Sequence, residues 1–146
     1  MPKRLIIPVL RIDSSLEKVG VNAMGEMAVP HNAAIPGWYQ GGVKPGENGN
    51  AVIAGHKDTL FGMPGVFANL GKLQMGDIVS LEDESGELLH FRVTALRQFD
   101  PNMAPVHDIF GKATMPHLQL ITCSGLWQST LHAYDKRLVV FTELIP

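Results

Sequence analysis

Leu118-Gln119-Leu120-Ile121-Thr122-Cys123 is the stretch on which the reading of this chain turns. Its apolar and β-branched residues, bounded by Pro116 and Gly125, read as a strand. The strand ends on Cys123, the only cysteine among 146 residues. A single thiol forms no internal disulfide, so Cys123 is either a small apolar core residue or a reactive group. Free cysteine is among the most buried residue types, which favours the first reading. Its position favours the second. Ser124-Gly125 ends the apolar run at once, and a nucleophile has to stand where a substrate reaches it. Residues 124–136 then read as a loop and residues 137–144 as the last strand.

Working outward, the rest of the chain is a series of short strands. Ala51-Val52-Ile53-Ala54 is a fully apolar strand that ends at Gly55-His56. Residues 78–82 and 87–99 flank the turn Asp83-Glu84-Ser85-Gly86 and form the clearest hairpin. Residues 4–12 are β-like but interrupted by Pro8, which suits an edge or a bulge. Asn22-Ala23-Met24-Gly25 is a turn, residues 41–50 a loop, and residues 66–70 one or two helical turns. Residues 100–116, with Pro101, Pro105 and Pro116, form a long connection that holds a short helix at 106–110. Fifteen glycines and ten prolines supply the turns. This pattern predicts a single all-β domain, a sandwich or barrel, over residues 1–146.

Composition excludes several functions. Hydrophobic residues make up 45% and charged residues 18%, with a net charge of −2. No stretch is rich in lysine or arginine, so the electrostatic footprint of a nucleic-acid binder is absent. No apolar run approaches the roughly 20 residues that cross a bilayer as a helix. The start carries no signal-peptide pattern, and an anchoring segment ahead of Met1-Pro2-Lys3 stays open. Glu82-Asp83-Glu84 with Glu87 is the one acidic cluster. A calcium cage needs about six to eight fixed oxygens, and carboxylates around a hairpin turn are commonly just solvated. Neither a metal nor a cofactor is expected.

Three residues form a candidate site. His56 and Cys123 end strands, and Arg137 opens one. A thiolate is the nucleophile of cysteine chemistry, and a nearby imidazolium or guanidinium favours it. Histidine can also protonate a leaving amine. Arginine keeps its charge and offers fixed donors to an oxyanion. Each has a plainer reading: a solvent-facing histidine among six, or an arginine capping an exposed strand. His132 lies near Cys123 in the chain and competes with His56, and spacing does not separate them. A papain-like peptidase would need a helix carrying the cysteine, where here a strand precedes it. A non-catalytic β-barrel binding module with an inert Cys123 is the remaining alternative.

At these residues the chain resembles the sortases, the cysteine transpeptidases of bacterial cell surfaces. Their Thr-Leu-x-Thr-Cys signature is matched by Gln119-Leu120-Ile121-Thr122-Cys123, with Gln in place of the first Thr. Their Ala-Gly-His segment is matched by Ala54-Gly55-His56, and their essential arginine, three residues after an aromatic, by Arg137 after Tyr134. The resemblance runs from Arg4-Leu5-Ile6-Ile7-Pro8 to Phe141 and is nearest class F, on Gly37-Trp38-Tyr39, on residues 45–56, and on Val66-Phe67 before Leu73-Gln74-Met75-Gly76-Asp77. It implies an eight-stranded, largely closed β-barrel with short helices, in which the strands ending at His56 and Cys123 are parallel neighbours. It implies that Cys123 attacks the Thr–Gly bond of a Leu-Pro-x-Thr-Gly-type sorting signal, that His56 protonates the departing amine, and that Arg137 with backbone N–H groups holds the oxyanion. An amine from a peptidoglycan cross-bridge or a pilin lysine then resolves the thioacyl enzyme. Thr122, Ser124, Pro105, Val106, Ile109 and Phe110 are the expected substrate contacts, the last four walling the pocket for the Leu-Pro end. The implied location is the outer face of the bacterial membrane, with any membrane contact made through an N-terminal anchor ahead of this chain.

Overall fold

The computed structural model describes residues 2–20, 32–58, 63–100, 109, 113–128 and 133–146, with residues 123–128 and 133–135 described as backbone. Its strands are β1 (Pro2–Ile7), β2 (Ile12–Ser15), β3 (Glu17–Val19), β4 (Gly37–Tyr39), β5 (Gly49–Ala54), β6 (Ile78–Asp83), β7 (Leu88–Phe99), β8 (Pro116–Gln128) and β9 (Ala133–Leu144). They form one sheet in the order β2-β1-β6-β7-β9-β8-β5-β4-β3. The two outermost strands, β2 and β3, are consecutive in the chain and separated only by Leu16. Leu16 N–H donates to the Lys3 carbonyl beside β1, and Glu17 N–H to the Pro36 carbonyl beside β4. The sheet therefore curls round until its edges meet at one residue. Counted as a single broken stave, β2 and β3 reduce the nine strands of the described residues to the expected eight of a nearly closed barrel.

Local chemistry explains where the strands break. Pro8 has no N–H for the ladder, and the chain after β1 makes a 3₁₀ turn at Pro8–Leu10 instead. Arg11 leaves that turn in the left-handed conformation (φ 56°) and donates its N–H to the Pro8 carbonyl. The β6–β7 hairpin is closed by Asp83, whose Oδ1 accepts from the Ser85 N–H at 2.9 Å, the Glu87 N–H at 3.0 Å and the Ser85 hydroxyl. The predicted helical turns at 66–70 appear as turns followed by a 3₁₀ turn at Leu70–Lys72. The expected helix at 106–110 and the turn at 22–25 lie outside the described residues, apart from Ile109.

One expectation is corrected. Residues 124–136 were read as a loop, with Cys123 at a strand end and Arg137 at a strand start. Instead β8 continues to Gln128 and β9 begins at Ala133. The ladder steps from Ser124↔Lys136 to Trp127↔Tyr134, so β8 carries one extra residue at this point. Such a bulge lets Ser124-Gly125 break the apolar pattern without ending the strand.

Alternation along the strands makes two faces. Leu5, Ile7, Ala51, Ile53, Val79, Leu81, Phe91, Val93, Leu118, Leu120, Leu138 and Val140 fill the barrel with Trp38, Phe67, Leu70 and Leu73. The residues between them on β5, β8 and β9 point the other way. Val52 and Val139 lie buried there with Ile109, flanked by Tyr39, Phe99, Ile121 and Phe141.

Candidate active site

Strand register sets Cys123 opposite Arg137, and His56 follows the strand on the other side of β8. β5 and β8 run parallel from Gly49↔Pro116 to Ala54↔Ile121. The printed pairing ends there, and the Gly55 N–H still donates to the Ile121 carbonyl, so His56 leaves β5 beside the part of β8 that runs on to position 123. On the other side of β8, Cys123 pairs directly with Arg137 on β9, and Arg137 pairs with Phe99 on β7. Residues opposed in this way have Cα atoms about 4.5–5.5 Å apart. Positions 123, 137 and 99 thus form one row across three adjacent strands, and His56 follows the end of the fourth, β5. Position 123 shares the parity of 119 and 121, and Arg137 that of Val139 and Phe141. Arg137 therefore belongs to the outer face, the one that carries Val52, Val139 and Ile109. Ile109, 1% exposed, packs on this face with Val52 and Val139.

His56 lies beyond the end of β5, so its ladder does not hold it. Other bonds do. The Gly55 N–H donates to the Ile121 carbonyl at 3.1 Å. The Thr122 hydroxyl donates to the Gly55 carbonyl at 2.7 Å. The His56 carbonyl accepts from the Phe67 N–H, and the Lys57 carbonyl from the Gly65 N–H, each at 2.9 Å. Gly55 also has no room for a side chain, because a Cβ there would meet the Phe67 ring at 2.5–2.9 Å. The glycine of Ala54-Gly55-His56 is thus required by a ring that packs against it.

Arg137 is half-buried, and its Nη1 donates to the Lys136 carbonyl at 3.1 Å. Lys136, of the opposite parity, pairs with the Asp100 carboxylate. A fixed guanidinium next to position 123, on a face lined with apolar side chains, is suited to meeting negative charge as it develops. Behind the row, the buried pair Gln119–Asn50 is joined by a 2.9 Å hydrogen bond between their amides.

The remaining expected contacts are distributed unevenly. Thr122 is 5% exposed and of the barrel-facing parity, with its hydroxyl on Gly55. Pro105, Val106, Phe110 and the competing His132 lie outside the described residues, and Ser124 is described as backbone. The acidic cluster is occupied locally: Glu82 pairs with Lys3 and Arg4, and Asp83 closes its turn. Among the described residues, no group of three His, Cys, Asp or Glu side chains is placed to hold a metal ion. Sequence reasoning missed the roles of Gly65 and Phe67. Pro64-Gly65 signals a turn, but nothing local signals which strand it will touch.

The candidate positions lie on a nearly closed β-barrel, and comparison with known proteins gives the class to which that barrel belongs. A family model described as Sortase domain matches residues 5–145, and the chain belongs to the sortase family. Its structure is similar to a lid mutant of sortase A from Corynebacterium diphtheriae, with TM-score 0.76 and 20% identity, over 99% of this chain and 70% of that one. Sortase C2 of Group B Streptococcus Pilus Island 1 gives TM-score 0.75 and 20% identity, over 99% and 73%. Sortase C-1 from Actinomyces oris gives TM-score 0.74 and 22% identity, over 99% and 71%. No curated protein matches the chain by sequence.

Proposed function

We propose that this sortase cleaves a Leu-Pro-x-Thr-Gly-type sorting signal between Thr and Gly and passes the acyl group to an amine, with Cys123, His56 and Arg137 as the working residues. The observation that supports the reading is the pairing of Cys123 with Arg137 across β8 and β9, with β5, which leads into His56, parallel to β8 on the other side. The Cys123 thiolate adds to the Thr carbonyl, and the oxyanion is met by Arg137 and backbone N–H groups. As the C–N bond breaks, His56 gives its proton to the departing glycine nitrogen. An amine from a peptidoglycan cross-bridge or a pilin lysine then attacks the thioester, returns a proton to His56 and expels the Cys123 thiolate; water in its place gives hydrolysis. We assign the Leu-Pro end of the signal to the apolar residues Pro105, Val106, Ile109 and Phe110, of which Ile109 is buried on the outer face. Within the family we place the chain nearest class F, on Gly37-Trp38-Tyr39 and residues 45–56, and its substrates among surface proteins at the outer face of the bacterial membrane. Among the described residues, no helix is long and apolar enough to cross a membrane.

The test is Cys123→Ala against wild type with a sorting-signal peptide and an amine. Cleavage and transfer should both vanish, and wild-type enzyme quenched rapidly in acid should show the thioacyl adduct by intact mass. Residual turnover above a few per cent would sink the nucleophile assignment.

A further inference from the structure

We infer that residues 63–67 and the Thr122 hydroxyl together clamp the His56 backbone, making Gly65 and Thr122 positioning residues for the proton donor. This rests on the proposed role of His56.

His56 follows β5 and has no ladder of its own beyond Ala54. On the β8 side, the preceding peptide is fixed by the Ile121 carbonyl and the Thr122 hydroxyl. On the other side, Met63–Phe67 runs antiparallel to His56–Asp58. The Phe67 N–H reaches the His56 carbonyl, the Gly65 N–H reaches the Lys57 carbonyl, and Asp58 pairs with Pro64. The strip does not float. The Val66 N–H donates to the Ala33 carbonyl at 2.8 Å, tying it to the segment that leads into β4, and Phe67 is 1% exposed in the barrel core. The segment bearing His56 is thus gripped between two anchored pieces of backbone.

Gly65 is the closest point of this grip. A Cβ there would fall against the His56 carbonyl oxygen, 2.8 Å from its carbon and 3.1 Å from the Asp58 nitrogen. Ordinary contacts between heavy atoms sit near about 3.5–4.0 Å. All three atoms belong to backbone, so no rotamer change relieves the clash. Gly65 is not in the left-handed region, so its neighbour, not its own conformation, excludes a side chain. Alanine would push His56 aside by roughly 1 Å, a displacement that can cost about 100-fold in rate. Thr122→Val keeps the shape but removes the donor from the Gly55 carbonyl.

Position and stability are separated by the leaving group. Amide cleavage needs a proton on the departing nitrogen, whereas a thioester expels a thiolate that needs none. The experiment measures kcat of the full chain on a sorting-signal peptide and on its analogue with a thioester at the scissile bond. His56→Ala sets the scale. Gly65→Ala is expected to lower the amide-to-thioester rate ratio at least about tenfold, part of the roughly 100-fold or more that general acid catalysis supplies. Gly71→Ala, whose Cβ would meet Leu138 at an ordinary 3.5 Å, is expected to leave both rates unchanged. Thr122→Val should lower the ratio and Thr122→Ser restore it, and this pair decides the matter if Gly65→Ala does not fold. If His56→Ala lowers the ratio while the Gly65 and Thr122 variants keep the wild-type ratio, the clamp is refuted and the role of His56 stands. If His56→Ala leaves the ratio unchanged, the proposed role of His56 falls, and the clamp with it.

Discussion

Replacing Arg137 by lysine separates charge from geometry at the oxyanion. Arg137 stands directly opposite Cys123 on the neighbouring strand. Its guanidinium is half-buried and oriented through Nη1 on the Lys136 carbonyl. A planar fork can hold that carbonyl with one arm while another donor faces the scissile oxygen. Lysine keeps the charge on a rotatable ammonium and loses the fixed direction. Losing one oxyanion donor outright costs about 100- to 1,000-fold in kcat, and a retained charge softens that. The expected fall is therefore roughly 10- to 1,000-fold, or about 1.4–4 kcal/mol of transition-state stabilisation. KM should move less than about threefold, because the oxyanion exists only in the transition state. The assay is initial peptide cleavage over a range of peptide concentrations with saturating amine, alongside Arg137→Ala, which should be slower still. A large rise in KM with kcat preserved would refute the reasoning: Arg137 would then grip the ground-state peptide, and backbone amides near Cys123 would carry the oxyanion.

Three further outcomes follow from the same geometry. His56→Ala should lose at least about 100-fold in turnover and His132→Ala less than about tenfold; the reverse ranking by steady-state kinetics would assign the proton to His132. Gly55→Ala should melt several degrees below wild type, since forcing a Cβ against the buried Phe67 ring costs about 1–3 kcal/mol; an unchanged melting temperature would mean the ring gives way freely. In acid, the Asp83 carboxyl is held below its ordinary value, first by the Ser85 hydroxyl and then by the Glu87 and Ser85 N–H groups, against the opposing pull of desolvation. A lowered folded-state value stabilises above the unfolded value near about 3.9 and is lost as pH falls through the folded one. Asp83→Asn should therefore flatten the fall in melting temperature below about pH 4, and parallel acid limbs for variant and wild type would contradict this.

Much of the fold was legible because its signals are local. The apolar run Ala51–Ala54 lies inside β5, and the hairpin around Asp83-Glu84-Ser85-Gly86 appears as β6 and β7. The choice of His56, Cys123 and Arg137 as the candidate site came through the resemblance, since the chain places them far apart. The continuation of β8 past Cys123 was not legible: Ser124-Gly125 has the composition of a loop, and a bulge supplies the same break within a strand. Thr122 reads from sequence as a neighbour of the thiol, yet its parity turns it toward the barrel and onto Gly55. Gly55 and Gly65 are glycines for reasons of approach between segments, which no local pattern carries.

The seam at Leu16 also limits how a peptide can be read. Many peptide-binding domains take their ligand as an extra strand on a free sheet edge, where main-chain hydrogen bonds supply the affinity. Here the outermost strands are four and three residues long and run into one another. That leaves little rail for a new strand. On the proposed function, a ligand would instead lie across the outer face, over β5, β8 and β9, held by side chains and a few isolated donors. Without a ladder to complete, a proline in the ligand forfeits no hydrogen bond. Recognition then concentrates in a few shaped positions around the thiol, which favours a short motif over a long one.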